Sequence, residues 1–377
     1  MSDATRGPAR SADEDAYASL LDGHNNEPTP VASRNDDRRP TWRSRLRRIG
    51  LFIVVLASVL GLALAGAGWF LTNRYAGNVH RLPTVFAGLD PSSRPAAPHA
   101  GGDPPVTFLL VGADTRAPGP TTGSTATSQA ENTRSDAIML LRITGDRRDA
   151  QVISIPRDSW VTIPGHGRNK INAAYAFGSP SLLIQTVEAL TNVRVDHFGV
   201  IDFAGFKTMT DALGGVDVAV SQPTSSMGVT FTEGVNHLNG DQALVYVRQR
   251  YELSGGDFDR EQRQQNYLRA MLTTASHGDL LGNPGKLDAF IRALTGSVSV
   301  DDELSSKDLV TLAFGSRDLK PGSVAFLTAP VTGTGMEGDQ SVVYLDETAD
   351  AALWRYLNND SLAQHVAQFK QLPATPN

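Results

Sequence analysis

No cysteine occurs among the 377 residues of this chain. Disulfides, thiolate metal sites and cysteine nucleophiles are therefore excluded. Lysine is nearly missing too: Lys170, Lys207, Lys286, Lys307, Lys320 and Lys370 are the whole set, so arginine carries most of the positive charge. The eight histidines are scattered and no H-E-x-x-H is present, which argues against a zinc hydrolase. The G-x-x-x-x-G-K-[ST] loop of nucleoside triphosphatases is lacking. So is the G-x-S-x-G elbow. There is no internal repeat, and a net charge of −6 argues against a general nucleic-acid binder.

Charge is also absent from residues 49–73, IGLFIVVLASVLGLALAGAGWFLTN. As a helix this run is about 37 Å long, enough to cross a bilayer core of about 30 Å. Arg38, Arg39, Arg43, Arg45, Arg47 and Arg48 precede it, whereas only Arg74 and Arg81 follow closely. The positive-inside rule then places residues 1–48 in the cytoplasm and the rest of the chain outside. Ala63-Leu64-Ala65 resembles a signal-peptidase site, but the preceding tail is too long for an n-region and the apolar run continues past it. Residues 1–48 read as a disordered tail with an Arg-rich end. The proline-bearing stretch 74–104 reads as an extracytoplasmic linker.

A folded domain is expected from 105 to 360, followed by a short tail, 361–377. Apolar runs at 106–112, 137–143, 150–155, 195–203, 216–220 and in SVAFLTAP (323–330) read as strands. Helical spacing is found at 181–190 and 206–215, from Asp257 through Met271, and in two late segments, DELSSKDLVTLAFG and ETADAALWRYL. This mixture predicts an α/β or α+β domain.

Polar residues gather at the ends of these strands, where loops carry function. Asp114, Arg134, Asp136, Arg157 and Lys170 flank the first three. The run YVRQRYELSGGDFDREQRQQ (246–265) adds more. Read as a strand, it projects Arg248 and Arg250 to one face. After the Gly255-Gly256 turn, Asp257, Arg260 and Gln264 fall on one helix face, with Asp257 suited to an N-cap. Arginine forks match phosphate oxygens, and two carboxylates suit a hard cation. Arginine with a metal is the equipment of phosphoryl transfer. A solvated helix laced with ion pairs is the bland alternative.

The ordered motifs FLLVGADTR (108–116), RSDAIMLLRI (134–143), ISIPRDSWVTIPG (153–165), KINAAYAFG (170–178), IDFAGFKTMTDALGGVDV (201–218), LNGDQALVYVRQRY (238–251) and GDFDREQRQQ (256–265) span nearly the whole domain. In these the chain resembles the LytR–CpsA–Psr family of cell-wall glycopolymer transferases, of actinobacterial type. The resemblance implies an α/β/α sandwich and a membrane-anchored phosphotransferase. Such an enzyme moves a glycopolymer from a polyprenyl-pyrophosphate carrier to a peptidoglycan acceptor. A phosphodiester forms and polyprenyl phosphate is released.

Carried over motif by motif, Asp114 and Asp136 would hold Mg2+ (or Mn2+). Arg134, Arg157, Arg248 and Arg250 would bind pyrophosphate, and Asp257, Arg260, Gln264 and Lys170 would complete the head-group site. The family's hydrophobic channel for the lipid suggests Phe203, Phe206, Met209, Leu213, Leu183 and Val187 as lining, against ordinary core packing. The stretch 117–133, rich in Pro, Gly, Thr and Ser, is longer than the family usually carries between Asp114 and Arg134. Three other readings compete with transfer. They are a membrane-bound transcriptional regulator, a pyrophosphatase acting on the carrier, and a silent lipid binder.

Overall fold

The computed structural model describes residues 74–75, 79–97, 103–114, 120–124, 134–276, 280 and 282–373. The expected tail 1–48 and apolar helix 49–73 lie outside them. Among the described residues no helix is long and apolar enough to cross a membrane.

A seven-stranded mixed sheet organises the chain. It uses β1 (His80–Leu82), β2 (Val106–Asp114), β3 (Arg134–Ile143), β4 (Ala150–Ser154), β7 (His197–Asp202), β12 (Val298–Asp301) and β13 (Val324–Thr328), in the order β1-β12-β7-β2-β3-β4-β13. Small hairpins surround it. These are β5 (Trp160–Ile163) with β6 (Gly167–Lys170), β8 (Val216–Val220) with β11 (Gly234–Leu238), β9 (Thr224–Ser226) with β10 (Val229–Phe231), and β14 (Val331–Glu337) with β15 (Gln340–Leu345). The helices are α1 (Asn172–Thr191), α2 (Phe203–Ala212), α3 (Gly240–Arg248), α4 (Asp257–Ser276), α5 (Pro284–Ser297), α6 (Ser306–Gly315) and α7 (Glu347–Asn358).

Alternation along the central strands makes this a three-layer structure, since successive strand residues face opposite ways. Leu109, Ile138, Leu140 and Ile153 are fully buried with Leu183 and Val187 of α1 and Leu353 and Trp354 of α7. On the other face Leu110 and Met139 meet Leu268 of α4, while Phe108 and Ile143 meet Leu309 and Leu312 of α6. Helix, sheet, helix is the expected α/β sandwich.

Two expectations need correction. The linker predicted at 74–104 contributes to the core: β1 pairs with β12, Val85 and Phe86 are buried, and Arg94 forms an ion pair with Glu188 at 2.8 Å. Prolines disguised these residues as a spacer. At the other end, Leu362 is buried and Gln371 bridges to Leu327, so most of the predicted tail 361–377 also packs on the domain.

A third correction concerns Arg248 and Arg250. The run 243–248 is helical, not a strand. Ala243, Tyr246 and Val247 are its buried residues, a spacing that fits a helix as well as an apolar strand. The start decides it: Asn239 and Gln242 form a reciprocal capping box. Arg248 closes the last turn and Arg250 lies beyond it.

Candidate active site

A cavity of about 720 Å3 opens on the second face of the sheet. Its floor is Leu110, Met139 and Gly199. Its walls come from Phe203, Phe206 and Met209 of α2, Leu244 and Val247 of α3, Leu268 of α4, and Leu294 and Val298. Asp136, Arg157, Arg248, Arg250, Arg260 and Gln264 form its polar side. Six of the ten residues predicted from sequence thus meet on one cavity, despite the misread conformation at 243–248. Of the six apolar residues considered as lining, Phe203, Phe206 and Met209 face it. Leu183 and Val187 are core, and Leu213 packs with the core around α3.

Local structure explains the convergence. The β2–β3 register shifts between Gly112 and Ala113, leaving Asp136 as the extra residue of a bulge. Bulges re-aim side chains. Arg157 follows β4 and donates from Nη1 to Asp136. Gly256, at φ 56°, makes the left-handed turn before α4. Asp257 is the first helical residue, not the N-cap expected for it. Its carboxylate instead meets three cations: Arg260 at 3.3 Å and Arg157 and Arg250 each at 3.7 Å. Lys170 does not line the cavity. It reaches Asp158 at 3.2 Å, and Asp158 lies 3.6 Å from Arg157.

These charges tune one another. Burial pushes Asp257 up, but Arg260, a hydrogen bond from Asp158, Arg157 and Arg250 together hold it below the usual range. Asp158 is raised, first by burial and then by its hydrogen bond to Asp257. Burial lowers Arg260, and the charge of Arg157 lowers it further. Arg260 is only 5% exposed, and its Nε and Nη2 have no hydrogen-bond partner; neither has Arg157 Nε. Buried guanidinium donors left without hydrogen bonds beside a cavity favour an anionic oxygen ligand.

The 256–265 motif divides its labour. While Asp257, Arg260 and Gln264 serve the cavity side, Arg263 donates to Gln249 and Thr224, and Gln265 to Ser154 and the Leu327 carbonyl. Those contacts tie α4 to the sheet and to β9. Sequence spacing did not reveal this second face, nor Glu261 as a member of the charge cluster. Asp158 stood out beside Arg157 at a strand end without being assigned to the site. Glu261 had no signal, because a glutamate in a charged helix looks solvated.

Asp114 and Arg134 are paired across the ends of β2 and β3. Only their backbones are described. Part of the long 117–133 segment is anchored: Thr122 N donates to Asp202 and Gly123 N to Ser299 Oγ. Gly123 permits this approach, since a Cβ there would meet the Gly296 carbonyl oxygen at 1.9 Å.

The sequence profile of the LytR_cpsA_psr family matches residues 90–359. The chain belongs to that family. It is 32% identical over 363 residues to the Cell wall biosynthesis protein LcpA of Corynebacterium glutamicum, covering 85% of this chain and 66% of that one. It thus spans just under two thirds of that relative's length. It is also 32% identical over 247 residues to the polyisoprenyl-teichoic acid–peptidoglycan teichoic acid transferase TagU of Bacillus anthracis, covering 64% of this chain and 78% of TagU. Among solved structures, the crystal structure of B. subtilis TagV superposes with a TM-score of 0.56 at 26% identity, over 68% of this chain and 97% of TagV. The family membership read from the motifs and the mixed α/β fold are both borne out.

Proposed function

We propose that this chain transfers a glycopolymer from a polyprenyl-pyrophosphate carrier to peptidoglycan. One observation carries the reading. One cavity joins an apolar wall to a cluster of arginines whose buried donors lack hydrogen bonds. The names of its relatives LcpA and TagU, a cell-wall biosynthesis protein and a teichoic acid transferase, support the same class.

In this reading the prenyl chain lies along Leu110, Met139, Phe206 and Met209, and the pyrophosphate meets Arg157, Arg248, Arg250 and Arg260. A peptidoglycan hydroxyl attacks the phosphorus bonded to the glycan. A P–O bond forms, the bond to the bridging oxygen breaks, and polyprenyl phosphate leaves with its charge held by the arginines. Asp257 is a poor acceptor for the hydroxyl proton, because its neighbours hold it ionised. Asp158 already gives its proton to the hydrogen bond with Asp257, which leaves Asp136, on the cavity lining, as the candidate.

Asp114 and Asp136 stand on adjacent strand ends, and two carboxylates suit Mg2+ or Mn2+ completed by phosphate oxygens. Such a cation would supply neutralisation of the pyrophosphate charge. We place the domain outside the cell membrane, anchored by residues 49–73.

The deciding experiment supplies lipid-linked glycan and peptidoglycan to the purified protein and identifies the product by mass spectrometry. Phosphodiester-linked glycan on peptidoglycan is expected. Free phosphorylated glycan would instead make the protein a pyrophosphatase.

A further inference from the structure

Glu261 stands on α4 next to Arg260 and one turn after Asp257, so it shares the helix face of Asp257. It is 7% exposed, does not line the cavity, and its Oε2 is buried with no hydrogen-bond partner. Asp257 and Arg260 face it from its own helix; Asp158 and Arg157 face it from the connection after β4. Burial pushes its carboxyl up to about 8, with Asp257 and Asp158 acting in the same direction and Arg260 and Arg157 against it. No step of the proposed transfer uses this group.

We propose that Glu261 is a positioning residue that sets the net charge of the anion site: as the neutral acid it leaves the arginines one unit of positive charge more than it does as the carboxylate. This rests on the reading of the cavity as a pyrophosphate site. The ion pairs count the charges. Arg157, Lys170, Arg250 and Arg260 are set against Asp136, Asp158 and Asp257. Four cations thus meet three carboxylates in this ion-paired network, and Arg248 and Glu252 also line the cavity. A further carboxylate enclosed beside Arg260 would offset one unit of positive charge where water screens least. Nothing donates a hydrogen bond to Glu261 Oε2, so its ionisation is favoured there only by the charges of Arg260 and Arg157, which burial outweighs. Glu261 acts through Arg260 and Arg157, without touching the ligand.

The test measures the affinity of the full chain in detergent for inorganic pyrophosphate, without divalent metal, by calorimetry from pH 6.5 to 9. Wild type is compared with Glu261→Gln and Glu261→Met, both permanently neutral; if one fails to fold, the other suffices. Taking the ratio of affinities at each pH removes the titration of pyrophosphate itself. Equal binding is expected at pH 6.5. At pH 9 either variant should bind about tenfold tighter than wild type, since only about a tenth of the wild type then holds the neutral acid. A ratio that stays flat across this range overturns the role of Glu261 and leaves the cavity assignment standing. If wild type binds no pyrophosphate at any pH, both fall.

Discussion

On one face of the sheet, Leu109, Leu140 and Ile153 are sealed under α1 and α7. On the other, their strand neighbours Leu110 and Met139 open into a cavity of about 720 Å3. The same strands build both faces, because alternate residues of one run point opposite ways. The charges repeat the contrast. Arg142, at the far end of β3, is fully enclosed; its Nε lies 3.6 Å from Asp360, and neither Nε nor Nη2 makes a hydrogen bond. Arg260 also has nitrogens without hydrogen bonds, but it borders the cavity. A buried guanidinium lacking hydrogen bonds therefore does not mark a site by itself. What distinguishes Arg260 is room for a ligand beside it.

The largest effect separating these regions is expected at Arg250. Arg250→Ala should cut the transfer described above by about 10²–10³ while leaving the melting curve unchanged, as removal of one transition-state contact commonly does. Near-normal transfer by this variant would remove the cavity from the chemistry.

The two sheet faces should respond differently to truncation. Leu140→Ala leaves a void in a sealed layer and is expected to cost about 2–5 kcal/mol in denaturant unfolding. Leu110→Ala merely enlarges an existing cavity, so about 2 kcal/mol or less is expected. Equal costs would mean that the second face is as tightly packed as the first.

A smaller effect should appear at Asp350 of α7. Burial, reinforced by Asp346, raises its carboxyl from 3.8 to about 7. An acid raised by folding gives stability that is complete below its unfolded value and is lost as pH rises through its folded one. Wild type should therefore melt a few degrees lower at pH 8 than at pH 4, and Asp350→Asn should lose that part of the slope, roughly in line with the size of the domain. An unchanged slope would place Asp350 in a more polar setting than its burial indicates.

Much of this was legible in the residues. Strands 106–114, 134–143, 150–154 and 216–220 follow from apolar runs or alternation bounded by turns. The β14–β15 hairpin was not, since VTGTGME has too few apolar residues to signal a strand. Helix α5 was overlooked although Asn283 caps it and Pro284 opens it, a start signal present in the sequence. At 243–248 periodicity was ambiguous, and the capping box carried the information. For the site, motif order identified which arginines converge. It did not separate Gln264, at the cavity, from Gln265, which holds the sheet, because adjacent helix residues diverge by about 100°.

In the proposed function one cavity takes both a prenyl chain and its pyrophosphate. The most direct measurement compares the affinities of the wild-type protein for farnesyl pyrophosphate and inorganic pyrophosphate under identical conditions. Burying the chain against Leu110, Met139 and Phe206 should tighten binding at least about tenfold, a conservative share of about 25 cal/mol per Å2 after the cost of ordering the chain. Equal affinities would contradict the account.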